Sequence, residues 1–138
     1  GYKIQRDMKI YVNGHLIESD QPPLIWEDRT FVPIRVIAEN LGAKVDYNQE
    51  DMTVKIKRDK TNILLAIGDD EVWISDEEKA GPALLDAPAF LRNDRTYLPL
   101  RSISELFGMQ VDWDGAKRAV YIKEKSYLPD YINRDNAL

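Results

Sequence analysis

A single histidine, His15, and no cysteine among 138 residues leave few ways to build a reactive centre. His15 follows Asn13-Gly14 and reads as an exposed turn residue. One imidazole supplies neither a multi-histidine metal centre nor, with any partner the spacing places, a Ser-His-Asp triad. No glycine-rich phosphate loop is present. Carboxylates are plentiful and fall in two sets. Asp69, Asp70 and Glu71, with Asp76, Glu77 and Glu78, form an acidic group that reads as solvated surface, weak divalent-ion binding being the alternative. Asp112-Trp113-Asp114-Gly115 has a fragment of a calcium loop but lacks its remaining oxygen ligands and distal Glu, so it reads as a hairpin turn. No catalytic residue, metal ligand or cofactor is assigned.

Binding chemistry is better served by the aromatic residues, because sugar rings are held on exposed aromatic faces. Judging which ones are exposed requires the chain's dominant pattern. Arg29-Thr30-Phe31-Val32-Pro33-Ile34-Arg35 recurs as Arg95-Thr96-Tyr97-Leu98-Pro99-Leu100-Arg101, and positions 20–57 align with 86–123 at a shift of 66 without a gap. Asp20, Asp28, Arg29, Thr30, Pro33, Arg35, Glu39, Gly42, Val45 and Ile56 all meet an identical residue. Trp26 meets Arg92, which no core position would tolerate, and borders the Glu27-Asp28 turn. It is therefore expected to be partly exposed, and with Tyr11 and Trp73 forms the candidate contact surface. Trp113 alternates with Val111 and is expected in the core. Arg35 and Arg101 fall in the first turn of a helix, where the macrodipole disfavours a cation. Their guanidinium forks are expected to tie helix to sheet by reaching strand carbonyls.

The elements that position these residues follow from periodicity. Lys9 to Val12 and His15 to Glu18 flank Asn13-Gly14 as a hairpin. Leu24 to Trp26 and Thr30 to Val32 are strands about the Glu27-Asp28 turn. Pro33 suits a first helical position, Ile34, Ile37, Ala38 and Leu41 make one apolar face, and Gly42 ends the helix. Val45 with Tyr47 and Val54 with Ile56 alternate as a second hairpin. In the second half Ile63 to Ile67 and Val72 to Ile74 are strands, and Ser75 to Gly81 is an acidic, mobile loop. Leu100, Ile103, Ser104 and Phe107 then repeat the helix face, with Gly108 as stop. The expected class is α+β: two tandem repeats, about 8–60 and 61–125, each an antiparallel sheet with hairpins wrapped on one helix, followed by a tail or linker at 126–138.

Composition narrows the class of function. A net charge of -5 and a pI near 4.9 argue against a nucleic-acid partner, since phosphate binders concentrate Lys and Arg on one face. No apolar run approaches the length of about 20 residues that crosses a bilayer. The opening Gly1 fits a chain whose signal peptide has been removed.

The Asn13-Gly14 hairpin, the Pro22-Pro23 break, the two Arg-Thr-aromatic-aliphatic-Pro-aliphatic-Arg runs, Glu39 with Glu105, Gly42 with Gly108, and Val111-Asp112-Trp113-Asp114 together closely resemble the copper amine oxidase N-terminal, or stalk, domain family over about residues 8 to 123. Glu27-Asp28 and Asn93-Asp94 depart from the Asn-Gly that this family favours, and Ser102 and Ser104 replace helix alanines. The resemblance implies a non-catalytic module, appended to secreted or surface-attached bacterial proteins and standing apart from any oxidase core. Arg29, Pro33, Arg35, Glu39 and Gly42, with Arg95, Pro99, Arg101, Glu105 and Gly108, are its structural motif. The expected role is to space, anchor or present neighbouring domains at the cell surface. Binding of a cell-wall polysaccharide is the alternative.

Overall fold

A computed structural model describes residues 1–125, and the expected tail at 126–138 lies outside the described residues. The elements in order are β1 (Lys3–Ile4), β2 (Lys9–Val12), β3 (His15–Leu16), β4 (Leu24–Trp26), β5 (Arg29–Pro33), α1 (Ile34–Asn40), β6 (Lys44–Asn48) and β7 (Thr53–Arg58). The chain continues with β8 (Thr61–Ala66), β9 (Glu71–Ser75), β10 (Ala80–Leu84), β11 (Phe90–Arg92), β12 (Arg95–Pro99), α2 (Leu100–Leu106), β13 (Met109–Asp114) and β14 (Ala119–Glu124).

These elements overturn the expected α+β class. The described chain is mostly β, in three sheets ordered β1-β4-β5-β12-β11, β10-β9-β8-β7-β6 and β13-β14-β2-β3, and its two helices are only seven residues each. Two separately wrapped units do not form, because the first and third sheets each take strands from both halves. The physical reason lies in β5 and β12. Each presents an apolar strand to the other, and they pair antiparallel with Tyr97 opposite Pro33, Leu98 opposite Val32 and Pro99 opposite Phe31. That register is symmetric about Val32 and Leu98, which are 66 positions apart. Matching segments therefore meet across an approximate two-fold axis.

Alternation then sorts the side chains. Val32 and Leu98 enter the main core, which gathers Ile10 and Val12 from one sheet, Ile56, Ile63 and Leu65 from another, and Ile34, Ile37 and Ile103 from the helices. Phe31 and Tyr97 point the other way, into a smaller core with Leu24 and Ala87 against which Trp26 and Phe90 pack. The Tyr97 hydroxyl donates to the Pro22 carbonyl at 3.0 Å, and burial raises its pKa.

The first helix starts one residue later than expected, and the second starts at Leu100, where its apolar face begins. Pro33 and Pro99 end their strands in extended conformation (ψ 119° at each) and stand just before the first helical turn. The four apolar residues of α1 and its cap are buried, and Gly42 at φ 76° closes the helix. Its N–H reaches the Glu39 carbonyl while that of Ala43 reaches Ala38, the paired closing bonds of a helix that turns left-handed at its end. The two-residue turns at Glu27-Asp28 and Asn93-Asp94 hold all four residues at positive φ, the hairpin geometry that Asn-Gly adopts most easily.

The segment expected as a mobile loop is instead a hairpin. Ala80 to Leu84 form β10, and Asp76 shapes the turn by accepting hydrogen bonds from the N–H groups of Glu78 and Lys79 at 2.8 and 2.9 Å. Pro82 is tolerated because β10 lies at the sheet edge, where one row of donors is free of the ladder.

Candidate functional site

The approximate two-fold axis creates two cavities from matching residues. One, of about 420 Å³, is lined by Asp20 and by the β12 residue Arg95 together with Arg35 and Tyr47. Its counterpart, of about 360 Å³, is lined by Asp86, Arg29, Arg101 and Trp113, each 66 positions from its equivalent. Each cavity joins one half's Arg-Thr strand to the other half's helix start and hairpin.

The two differ in how their charges are used. In the first, Arg95 forms an ion pair and hydrogen bonds with Asp20, holding that carboxyl below the usual range and raising the guanidinium above its own. In the second, no ion pair joins Arg29 to Asp86 among the described residues. Arg29 approaches only Glu27, at 4.0 Å, and the Asp86 backbone N–H donates to the Ser102 hydroxyl at 3.3 Å. Trp113 stands at the mouth with 46% of its surface exposed and the Arg118 guanidinium 5.5 Å from its ring centroid.

The exposure of Trp113 corrects its expected place in the core. It shares a face with Val111, but it lies near the end of β13, the edge strand of its sheet, next to the turn, while Val120 opposite it on the inner strand β14 is buried.

The candidate contact residues are not brought together. Tyr11 stacks on Tyr121 with centroids 5.2 Å apart in the sheet of β2 and β14. Trp26 is half-buried in the aromatic group of Tyr2 and Phe31 on β4. Trp73, 50% exposed, lies on β9 between Leu64 and Pro82. Three sheets carry the three side chains.

The motif arginines also differ from each other. Arg101 donates from Nη1 to the Val111 carbonyl at 3.1 Å, binding α2 to β13 as expected of a helix-to-sheet tie. Arg35 instead makes an exposed ion pair with Glu39 at 3.7 Å on its own helix. The tie in that half comes from Arg58, which donates to the Leu41 carbonyl at 2.8 Å and pairs with Glu124. Glu105, like Glu39, gives its backbone carbonyl to the closing glycine, Gly108.

Neither carboxylate set gathers. Asp69 to Glu71 and Asp76 to Glu78 sit at opposite ends of β9, and Glu77 pairs with Lys60 at 3.2 Å. Asp112 accepts from the Gln110 amide, and Asp114 accepts from the Lys117 N–H, the ordinary work of turn residues. Among the described residues no group of three His, Asp or Glu side chains could hold a metal ion, and His15 is exposed on β3. No described helix is long and apolar enough to cross a membrane.

The residues that reading the sequence overlooked are Asp86, Arg29 and Trp113 as one group. A signal existed: the Asp and Arg recur identically in both halves, together with an aromatic at Tyr47 and Trp113. The model of the copper amine oxidase N-terminal domain matches residues 11–122. A protease inhibitor of Brevibacillus choshinensis is 25% identical over 124 residues, covering 90% of this chain and 37% of that protein's own length. No solved structure matches.

Proposed function

The chain belongs to the copper amine oxidase N-terminal domain family, a non-catalytic module, and from that membership we propose that it spaces, anchors or presents neighbouring domains outside the bacterial cytoplasm, at the cell surface. One observation carries the reading. Strand β2 pairs in parallel with β14, Lys9 opposite Ala119 through Val12 opposite Ile122, bracketed by bonds from Lys9 N–H to the Arg118 carbonyl and from Asn13 N–H to the Ile122 carbonyl. Parallel strands point the same way, so the chain enters β2 at one end of the pair and leaves β14 at the other. Tension between the two ends slides the strands lengthwise and loads their bonds together, whereas a pair pulled open from a single end loses its bonds in succession. A spacer under tension benefits from that arrangement, because forced unfolding is governed by the unfolding rate.

Single-molecule pulling tests this. The chain has no cysteine, so Asp7→Cys with Lys117→Cys gives handles that open the β2·β14 pair from a single end. End-to-end pulling, after β1 peels away, is expected to need several-fold more force than pulling through residues 7 and 117. Equal or lower force end to end removes the mechanical argument for a spacer.

A second reading, binding of cell-wall polysaccharide through Tyr11, Trp26 and Trp73, keeps one supporting observation. Trp73, Leu64 and Pro82 form a row across three adjacent strands, and Leu64 and Trp73 are exposed. Trp73→Ala should then abolish retention on purified wall polysaccharide, and unchanged retention would remove Trp73 from the reading. Inhibition of proteases, suggested by the Brevibacillus choshinensis relative's name, belongs to a protein of which this chain spans little more than a third. It is tested directly by adding the chain to serine, cysteine and metallo-proteases.

A further inference from the structure

We propose that the cavity between Arg29, Asp86 and Trp113 is a binding site for one neutral sugar ring. The inference rests neither on the spacer reading nor on the Trp73 face.

The twin cavity supplies the internal reference. There the carboxylate and guanidinium satisfy each other, Asp20 with Arg95, and the polar groups have no need of a ligand. Here the same two residue types line the same kind of space without pairing. Asp86 makes no ion pair among the described residues, and Arg29 meets only Glu27, at the outer limit of contact. An acceptor and a planar donor fork are therefore left available together.

Their chemistry selects the ligand. A sugar hydroxyl donates one hydrogen bond and accepts another, so neighbouring hydroxyls on a ring can give to a carboxylate and take from a guanidinium in the same plane. Asp28 and Asp86 balance Arg29 and Arg101 in formal charge, so the lining favours neither an anion nor a cation. Trp113 adds an apolar wall against which the C–H face of a pyranose can lie. The volume of about 360 Å³ lies at the small end of the range of about 300–1,000 Å³ for ligand pockets, which suits one ring better than a long chain. Arg101 is already committed to the Val111 carbonyl and serves as a fixed wall.

The chain carries three tryptophans, so a two-dimensional amide spectrum of ¹⁵N-labelled protein contains three indole signals that report separately on Trp26, Trp73 and Trp113. The probes are the methyl glycosides and trisaccharides of glucose, galactose, mannose and N-acetylglucosamine, titrated to millimolar concentration. At least one is expected to move the Trp113 indole saturably while Trp26 and Trp73 stay in place. Asp86→Asn is expected to weaken that sugar about tenfold or more, the size expected from losing a hydrogen bond to a charged group, and Trp113→Ala, which removes the apolar wall, by a similar factor. Tyr47→Ala, at the equivalent position of the charge-paired twin, should leave the affinity unchanged. Thermal melting of each variant confirms that it is folded, and Asp86→Asn alone keeps the test valid if Trp113→Ala proves unstable. No shift of the Trp113 indole with any of the probes overturns the proposal. So does a response confined to Trp73 or Trp26, or binding that survives both substitutions.

Discussion

Replacing Ser104 with alanine should make the protein more stable, an unusual outcome for a change in the core. Ser104 sits on α2 with none of its surface exposed, and its hydroxyl has no hydrogen-bond partner. Shielding such a group without a partner costs about 1–3 kcal/mol. Alanine also gains up to about 0.5 kcal/mol in helix propensity. The lost oxygen leaves a void smaller than a methyl group, which offsets less than about 1 kcal/mol. The net expectation is a gain of about 1–2 kcal/mol, or about 3–8 °C in melting temperature for a chain of this size. The other half of the protein shows that the site accepts the smaller residue, because Ala38 occupies the equivalent place on α1 and is equally buried. The reciprocal change, Ala38→Ser, should cost about 1–3 kcal/mol for the same reason. Urea unfolding followed by tryptophan fluorescence measures both, and the slope must stay constant for the midpoints to be compared. A loss of stability in Ser104→Ala, or an unchanged midpoint in Ala38→Ser, would mean that the helix supplies this hydroxyl with bonds worth more than its burial costs.

Arg101→Lys should lower stability by about 1 kcal/mol, because ammonium cannot reproduce the forked reach to the Val111 carbonyl, while Arg35→Lys should change it by less than about 0.5 kcal/mol. Thermal melts of the two variants that shift equally would show that the motif arginines act alike after all. Asp20 is held below the usual carboxylate pKa chiefly by its hydrogen bonds to Arg95. A carboxyl with a depressed folded value contributes its stability above its unfolded value, near 3.9, and loses it as the pH falls through the folded one. The stability difference between the parent and Asp20→Asn should therefore be constant near neutrality and shrink across that acidic window. A difference that stays constant down to pH 2 would show that the pair does not couple to protonation.

Local elements were legible in the sequence where side-chain pattern alone decides them. Gly42 and Gly108 mark helix ends because left-handed φ is cheap only for glycine, and both residues adopt it. Ile34, Ile37, Ala38 and Leu41 announce a buried stripe by spacing, and that stripe is buried. What could not be read was which strands would pair. The recurrence suggested that each repeat wraps its own sheet on its own helix, but β5 and β12, each paired within its half to β4 and β11, also pair with each other and set Val32 opposite Leu98. Periodicity also says nothing about which strand lies at a sheet edge, and Trp113 is exposed near the end of such an edge strand although its alternation continues. β10 was hidden by Gly81 and Pro82, residues that signal a loop in isolation and are acceptable at a sheet edge. The candidate cavity was illegible for the same reason as the sheets. Arg29 and Asp86 are 57 positions apart, and only the cross-pairing of halves lets both line one space.

That cross-pairing also means that a rim substitution in one half is expected to alter a site without removing the fold. Each cavity draws its guanidinium from one half, and its aromatic and helix-start arginine from the other. The strands that fix the geometry meet at Val32 and Leu98, both fully buried and neither lining the two cavities. Exposed ion pairs such as Asp20 with Arg95 contribute little to stability because water and salt screen them, so closing or opening one barely disturbs a body held by its core. The local consequence for binding is larger. A guanidinium already hydrogen-bonded to a carboxylate must break that pair to accept a hydroxyl, whereas Arg29 and Asp86 do not pair with each other and Arg29 meets Glu27 only at 4.0 Å. One frame can thus keep two equivalent cavities, one whose carboxylate and guanidinium are paired with each other and one whose are not, with the difference set by side chains at the rim.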